Sequence, residues 1–226
     1  MLNLSDSTYL YIPLDFKMPD DVRQKSVEFF DVLDESLWDY NKFRNSYFLT
    51  LYTRSISEVA TNGGADGLQW LMNKTPGCLR DWIEAELIPF FEPFGRVAIV
   101  KSLPGDAMNV HVDSGRKEFD SVKMEPKFRY VMDGTLDDLY FETDKGVLRC
   151  EPCSHSYIMD GAWPHYAINK GTKHRYVLAV GRPWLGQVNE KLDGMLRSTF
   201  SEKSEKVLDR RGYNRIANSY ESYTNV

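Results

Sequence analysis

The sequence predicts a mainly β protein with flanking α-helices, whose core is a jelly roll (a double-stranded β-helix) set between N-terminal and C-terminal helices. Three observations predict it. Eight short runs of strand-forming residues follow one another between positions 97 and 181. Turn signals break them at Pro104-Gly105, Asp133-Gly134, Lys145-Gly146, Asp160-Gly161 and Lys170-Gly171. The segments on either side carry apolar residues at helical spacing. Short, evenly spaced strands suit a sandwich or barrel, and eight of them suit a jelly roll.

The elements follow in order. Residues 8–14 read as a strand. A helix follows Pro19-Asp20, with Val22, Val27, Phe30 and Leu33 on its packing side. Residues 46–54, rich in Tyr, Phe, Leu and Thr, read as a second strand, and Gly63-Gly64 as a loop. A further helix follows Pro76-Gly77, with Leu79, Trp82, Ile83 and Leu87 along one face. Pro89 and Pro93 stop it. The eight core candidates are 97–103, 109–113, 129–132, 139–143, 147–151, 156–159, 165–169 and 174–180. Residues 189–200 carry Leu192, Met195 and Leu196 at helical spacing. Residues 201–215 are dense in charge of both signs, a solvated helix face or a lid over the site. The 226 residues are therefore expected to form a single domain (1–226), with an N-terminal flank (1–95), a core (96–184) and a C-terminal helical segment (185–226).

Composition narrows the function classes. An apolar fraction of 42% and an aromatic fraction of 13% belong to a folded chain. A formal charge of -5 argues against nucleic acid or an anionic membrane as the main partner. No run approaches the roughly 18 apolar residues of a membrane span. The first residues lack the charged start and apolar run of a signal peptide. Three cysteines, an odd number, make no disulfide framework and point to a reducing cytoplasm.

His111-Val112-Asp113 ends the second core strand candidate. Residues i and i+2 of a strand share a face, so an imidazole and a carboxylate can converge on one ion. His165, after the bend at Trp163-Pro164, is the best third ligand. Two histidines and a carboxylate leave open positions that suit non-haem iron activating oxygen, and a reducing compartment suits ferrous iron. The dipeptide spacing alone means little. Four histidines and 33 acids in 226 residues give about 0.6 such pairs by chance, so an ordinary strand-end histidine remains the alternative.

Three further features change the balance. Arg175 lies on the strand candidate after His165, and a hairpin turning at Lys170-Gly171-Thr172 would bring it back beside that histidine. A guanidinium there pairs bidentately with a carboxylate; a structural ion pair is the alternative. The two histidines fall on the second and seventh of eight strands, neighbours in a jelly roll. The other histidines compete poorly. His174 faces away from Arg175, and His155 beside Cys150-Glu151-Pro152-Cys153 lacks the four ligands of a zinc site.

These residues resemble the 2-oxoglutarate oxygenase superfamily, and most closely its aspartyl/asparaginyl and proline hydroxylase branch. The similar stretch runs from 97 to 181. It contains Leu103-Pro104-Gly105, His111-Val112-Asp113, Arg129, Asp160, Trp163-Pro164-His165-Tyr166-Ala167-Ile168-Asn169 and Arg175-Tyr176-Val177-Leu178. The resemblance implies iron(II) held by His111, Asp113 and His165, and 2-oxoglutarate held by Arg175. It implies that Arg129 contacts a cosubstrate or substrate carboxylate, although Arg129-Tyr130-Val131 replaces the branch's usual Arg-x-His. It further implies dioxygen as oxidant, release of succinate and CO2, and hydroxylation of a C–H bond in an amino acid or a peptide or protein residue. Tyr130, Tyr140, Tyr157, Trp163 and Tyr176 are candidates for the pocket lining. The alternative is a cupin-like metal jelly roll that binds or isomerises a small molecule without 2-oxoglutarate.

Overall fold

Apolar runs such as Val97-Ala98-Ile99-Val100 and Tyr176-Val177-Leu178-Ala179-Val180 have no polar face, so their strands must be covered on both sides. The computed structural model, which describes residues 3–6, 9–53, 68–113, 124–134, 139–143, 146–150, 155–181, 183–203 and 208–209, shows how they are covered. One large antiparallel sheet carries helices on one face and a small antiparallel sheet on the other.

The strands are β1 (Tyr9–Leu14), β2 (Asp39–Asn41), β3 (Ser46–Thr53), β4 (Gln69–Trp70), β5 (Val97–Ser102), β6 (Pro126–Asp133), β7 (Leu139–Thr143), β8 (Gly146–Arg149), β9 (Ser156–Asp160), β10 (His165–Ala167), β11 (Arg175–Val180) and β12 (Leu208–Asp209). The large sheet runs β12-β1-β9-β6-β11-β5-β3-β2, with β4 beside β3, and the small sheet runs β10-β7-β8. The helices are α1 (Asp20–Val32), α2 (Gly77–Trp82, continuing as a π-turn over Ile83–Leu87) and α3 (Glu190–Lys203). No described helix is long and apolar enough to cross a membrane.

The expected jelly roll is present, since consecutive core strands alternate between the facing sheets or pair within one. The order β9-β6-β11-β5 faces β10-β7-β8 across a core of Val100, Val131, Val177, Phe141 and Trp163. A second core, including Phe30, Leu79, Ile83, Tyr130 and Tyr176, packs the helices on the outer face of the large sheet. Leu79, Ile83 and Leu87 are fully buried there, as their spacing predicts.

Several expectations change. Residues 109–113 form no continuous strand. The chain makes isolated bridges, Ala107 to Ile168 and His111 to His165, while the Asn109 N–H turns away to the Arg44 carbonyl. Its hydrogen bonds are split between two neighbours, so no ladder propagates. The expected hairpin between β10 and β11 is also absent. β11 pairs with β5 and β6, so the chain crosses from the small sheet to the large one after Ala167. In the charged tail, Leu208–Asp209 pairs with β1 rather than extending a helix, and the rest of 204–226 lies outside the described residues. Gly63-Gly64 and Cys153 lie outside them too.

Candidate metal centre

His111 and His165 occupy facing positions. The His111 N–H donates to the His165 carbonyl at 3.0 Å, and the His165 N–H returns the bond at 2.9 Å. Paired residues of an antiparallel pair place their side chains on one side, and the two imidazole centroids lie 4.5 Å apart. Asp113 follows two residues on, its N–H bonded to the Gly161 carbonyl at 2.6 Å. One donor atom from each of His111, Asp113 and His165 lies within 4.8 Å of the others, and all three side chains are largely buried.

The histidine protons are placed by the backbone. His111 Nδ1 lies 2.7 Å from the Asn109 carbonyl, and His165 Nδ1 lies 2.7 Å from the Trp163 carbonyl. A carbonyl only accepts, so each Nδ1 carries the proton and each Nε2 keeps its lone pair. This outer partner arrangement is the one that orients metal-binding histidines. Burial, reinforced by His111, holds His165 down at about 3, and burial likewise lowers His111. Burial alone would raise Asp113. Arg129 and Arg44, with the two histidines, outweigh it and hold the carboxyl well below the usual carboxylate range. Two neutral imidazoles and one carboxylate are a donor set that fits a divalent metal.

The turn after β9 supports Asp113. Asp160 is fully buried, and its Oδ1 accepts from the N–H groups of Glu125 and Ala162. Gly161 must be glycine for a steric reason. A Cβ there would lie 2.8 Å from Lys127 Cγ and 3.0 Å from Asp113 Cβ.

Arg129 lies beside Val131 on the inward face of β6, and its Nη2 donates to Asp113 Oδ2 at 2.6 Å. Arg44 was not singled out from the sequence. It sits in the turn between β2 and β3, and its Nη1 lies 2.9 Å from Asp113 Oδ1. That turn is pinned to the ligand segment. Asn109 N–H donates to the Arg44 carbonyl at 3.1 Å, and Asn45 Nδ2 to the Ala107 carbonyl at 2.9 Å. No spacing signal points to Arg44, because it comes from outside the core strands.

Arg175 is on the large sheet rather than beside His165. It opposes Ser102 at the start of β11, is 3% exposed, and shares the inward parity of Val177. The backbone of Gly134, at φ +102°, packs against it; a Cβ at Gly134 would meet Arg175 Cγ at 2.7 Å. Asn169, also not singled out for a role, organises the crossing from β10 to β11. It is buried, donates to the Ser102 and Lys173 carbonyls, and accepts from Gly171 N–H.

Of the lining candidates, Tyr157 and Trp163 belong to the core between the sheets. Tyr130 and Tyr176 face the helices instead, the Tyr130 hydroxyl accepting from Met18 N–H and the Tyr176 hydroxyl donating to Asp31. Tyr140 alternates with inward Phe141 and stacks on Tyr166 at 4.9 Å. His174 lies 3.3 Å from Asp31, on the helix side, as its parity predicts. Among the described residues, His111, Asp113 and His165 are the one group of three or more potential metal ligands.

No protein-family model matches the sequence, and no curated protein does. Solved structures do. The chain is similar to a Pseudomonas putida prolyl-4-hydroxylase (17% identity, 80% of this chain and 95% of that one, TM-score 0.43). It is similar to a Trichoplax adhaerens prolyl hydroxylase in complex with a hypoxia inducible factor peptide fragment (11%, 84% and 88%, 0.44). A third is HygX from Streptomyces hygroscopicus with nickel and 2-oxoglutarate bound (9%, 77% and 82%, 0.44). The side chains, rather than these likenesses, carry the functional reading.

Proposed function

We propose that this protein is an iron(II)- and 2-oxoglutarate-dependent dioxygenase that hydroxylates a C–H bond of an amino acid or of a peptide or protein residue. The observation that carries the reading is the paired backbone locking of His111 and His165. Both Nε2 lone pairs are thereby left available, and one donor atom of each histidine lies within 4.8 Å of the other and of an ionised Asp113. A structural histidine has no need of that arrangement twice, in residues that face each other.

His111, Asp113 and His165 would hold the metal through Nε2, a carboxylate oxygen and Nε2. Bound there, iron supplies the chemistry that couples dioxygen and 2-oxoglutarate decarboxylation, with release of succinate and CO2, to hydroxylation of the substrate. The protein's own residues do the rest. Burial keeps both imidazoles neutral and ready to ligate. Arg129 and Arg44 keep Asp113 ionised. Arg175, buried and facing inward from the opposite sheet, would receive the distal carboxylate of 2-oxoglutarate, for which its planar fork is suited. Val100, Val131, Val177 and Phe141 exclude water from the space between the sheets.

Succinate release in the presence of iron(II), 2-oxoglutarate and a panel of amino acids and peptides tests the activity. The wild type should exceed the His165→Ala background with at least one substrate. Equal release across the whole panel would reject the hydroxylase. A cupin-like protein that does not use 2-oxoglutarate does not need Arg175 as an anion receptor, and 2-oxoglutarate would have no effect on it.

A further inference from the structure

Both oxygens of the Asp113 carboxylate carry a guanidinium. Arg129 holds Oδ2 at 2.6 Å and Arg44 holds Oδ1 at 2.9 Å. The two arginines are not equivalent. Oδ1 is the oxygen that lies 3.8 Å from His111 Nε2, so Arg44 is bound on the side toward the histidines. Arg129 is the more enclosed of the two, its side chain 14% exposed against 25% for Arg44. Its other nitrogen, Nη1, also donates to the Phe128 carbonyl at 2.9 Å. Arg44 has a looser second contact, with its guanidinium carbon 5.5 Å from the Phe48 ring centroid.

A divalent ion ligated by His111 and Asp113 sits about 2.0–2.2 Å from each donor atom, so it needs the oxygen nearer the imidazole. That oxygen is the one Arg44 holds. An ion and a guanidinium cannot both lie close to it without strong like-charge repulsion. The Arg44 guanidinium, half-buried and with a looser second contact than that of Arg129, is the group that can yield. The backbone of its turn is fixed by Asn45 and Asn109, so the displaced side chain stays at the mouth of the site.

We infer that Arg44 is a displaceable substrate receptor: metal binding at Asp113 Oδ1 releases its guanidinium, which then pairs with the carboxylate of a small substrate. The inference rests on the metal-site reading above and adds the substrate class, a small molecule with a carboxylate near the reacting C–H. The local charge favours such an anion. Arg96, exposed as a residue, feels both Arg44 and Arg129. Partial burial first, and then repulsion from these two, lowers its guanidinium below the ordinary value, against a pull from Asp113. With the metal on Asp113, that carboxylate no longer offsets Arg44 as it did, and an incoming oxyanion takes its place beside the guanidinium.

Calorimetry with manganese(II) on metal-free protein gives the first test. Arg44→Gln removes the competitor, so manganese should bind about tenfold more tightly than to wild type. Unchanged or weaker binding overturns the displacement. The second test uses protein loaded with manganese(II) and N-oxalylglycine, an unreactive analogue of 2-oxoglutarate. Propionate and propionamide are the probes, read through manganese-induced relaxation of their protons. Wild type should relax propionate more than propionamide, and Arg44→Gln should lose at least about fivefold of that difference. Equal relaxation of the two probes in wild type, or no loss in the variant, overturns the receptor role. Arg44→Lys replaces Arg44→Gln if the latter does not fold, and it should lose the propionate preference because it lacks the planar fork. Wild type that binds neither manganese nor 2-oxoglutarate rejects the site reading and this inference together. Wild type that binds both, with Arg44→Gln indistinguishable from it, rejects this inference alone.

Discussion

His111 and His165 exchange both backbone hydrogen bonds, at 3.0 and 2.9 Å, and so face each other across one antiparallel pair. The same two residues each donate Nδ1–H to the carbonyl two positions upstream. Main-chain pairing and ring orientation are thus set by one local geometry. His111→Ala and His165→Ala should each abolish manganese binding while circular dichroism stays that of a folded protein. Retention of wild-type affinity in either variant would place the metal elsewhere.

Buried neutral histidines have a cost at acid pH. The unfolded chain takes up protons near the ordinary histidine value of 6.5, whereas folded His165 resists protonation down to about 3 and folded His111 is also lowered. The unfolded state therefore binds more protons below pH ~6.5, and stability of the metal-free protein falls as pH drops. Each such histidine adds a slope of about 1.4 kcal/mol per pH unit within that window. Urea unfolding between pH 6 and 4.5 should show His165→Asn with a shallower slope than wild type, by about one proton. Parallel slopes would mean that His165 protonates readily in the folded protein.

Arg175 opposes Ser102 on the large sheet and faces inward with Val177. Arg175→Ala should leave manganese affinity intact and weaken 2-oxoglutarate binding by roughly 10- to 100-fold, the worth of a charged hydrogen-bonded contact. Gly134→Ala should act in the same direction, because its Cβ would press on Arg175 Cγ at 2.7 Å and its backbone sits at φ +102°. Unchanged 2-oxoglutarate affinity in Arg175→Ala would remove the cosubstrate assignment and leave the metal site standing.

Gly161 touches Asp113 from the other side. Gly161→Ala drives a methyl to 3.0 Å from Asp113 Cβ and 2.8 Å from Lys127 Cγ. Such overpacking costs about 1–3 kcal/mol, so manganese should bind roughly tenfold more weakly. Wild-type affinity would show that Lys127 moves aside and Asp113 does not.

Asn169 joins the two halves of the site by holding the loop from β10 to β11. Asn169→Ala leaves the Ser102 and Lys173 carbonyls and the Gly171 N–H without their amide partner. The expected loss is about 2–3 kcal/mol in urea unfolding, accompanied by weaker 2-oxoglutarate binding. A loss below about 0.5 kcal/mol, the usual range for surface changes, would show the loop to be held by other contacts.

Much of this was legible in the chain because it depends on local rules. Seven of the eight core strand candidates are strands, since alternation and turn glycines are local signals. The eighth, around His111, is not, because its hydrogen bonds divide between Ala167 and His165 on one side and Arg44 on the other. Lys170-Gly171 marks a turn without saying which sheet receives the chain, so the spacing predicts a hairpin beside His165 where the structure pairs β11 with β5 and β6. Tyr130 could have been excluded from the lining once Arg129 was placed inward, because neighbours in a strand point opposite ways. Arg44 could not have been found. Its link to Asp113 is purely tertiary, made by a polar turn with no motif.

Sequential calorimetry tests the central claim most directly: manganese(II) into metal-free protein, then 2-oxoglutarate into the manganese-loaded protein and, separately, into metal-free protein. Site-stoichiometric manganese binding, followed by 2-oxoglutarate binding that depends on the metal, is the expected result. Manganese binding with no metal-dependent uptake of 2-oxoglutarate would contradict the account.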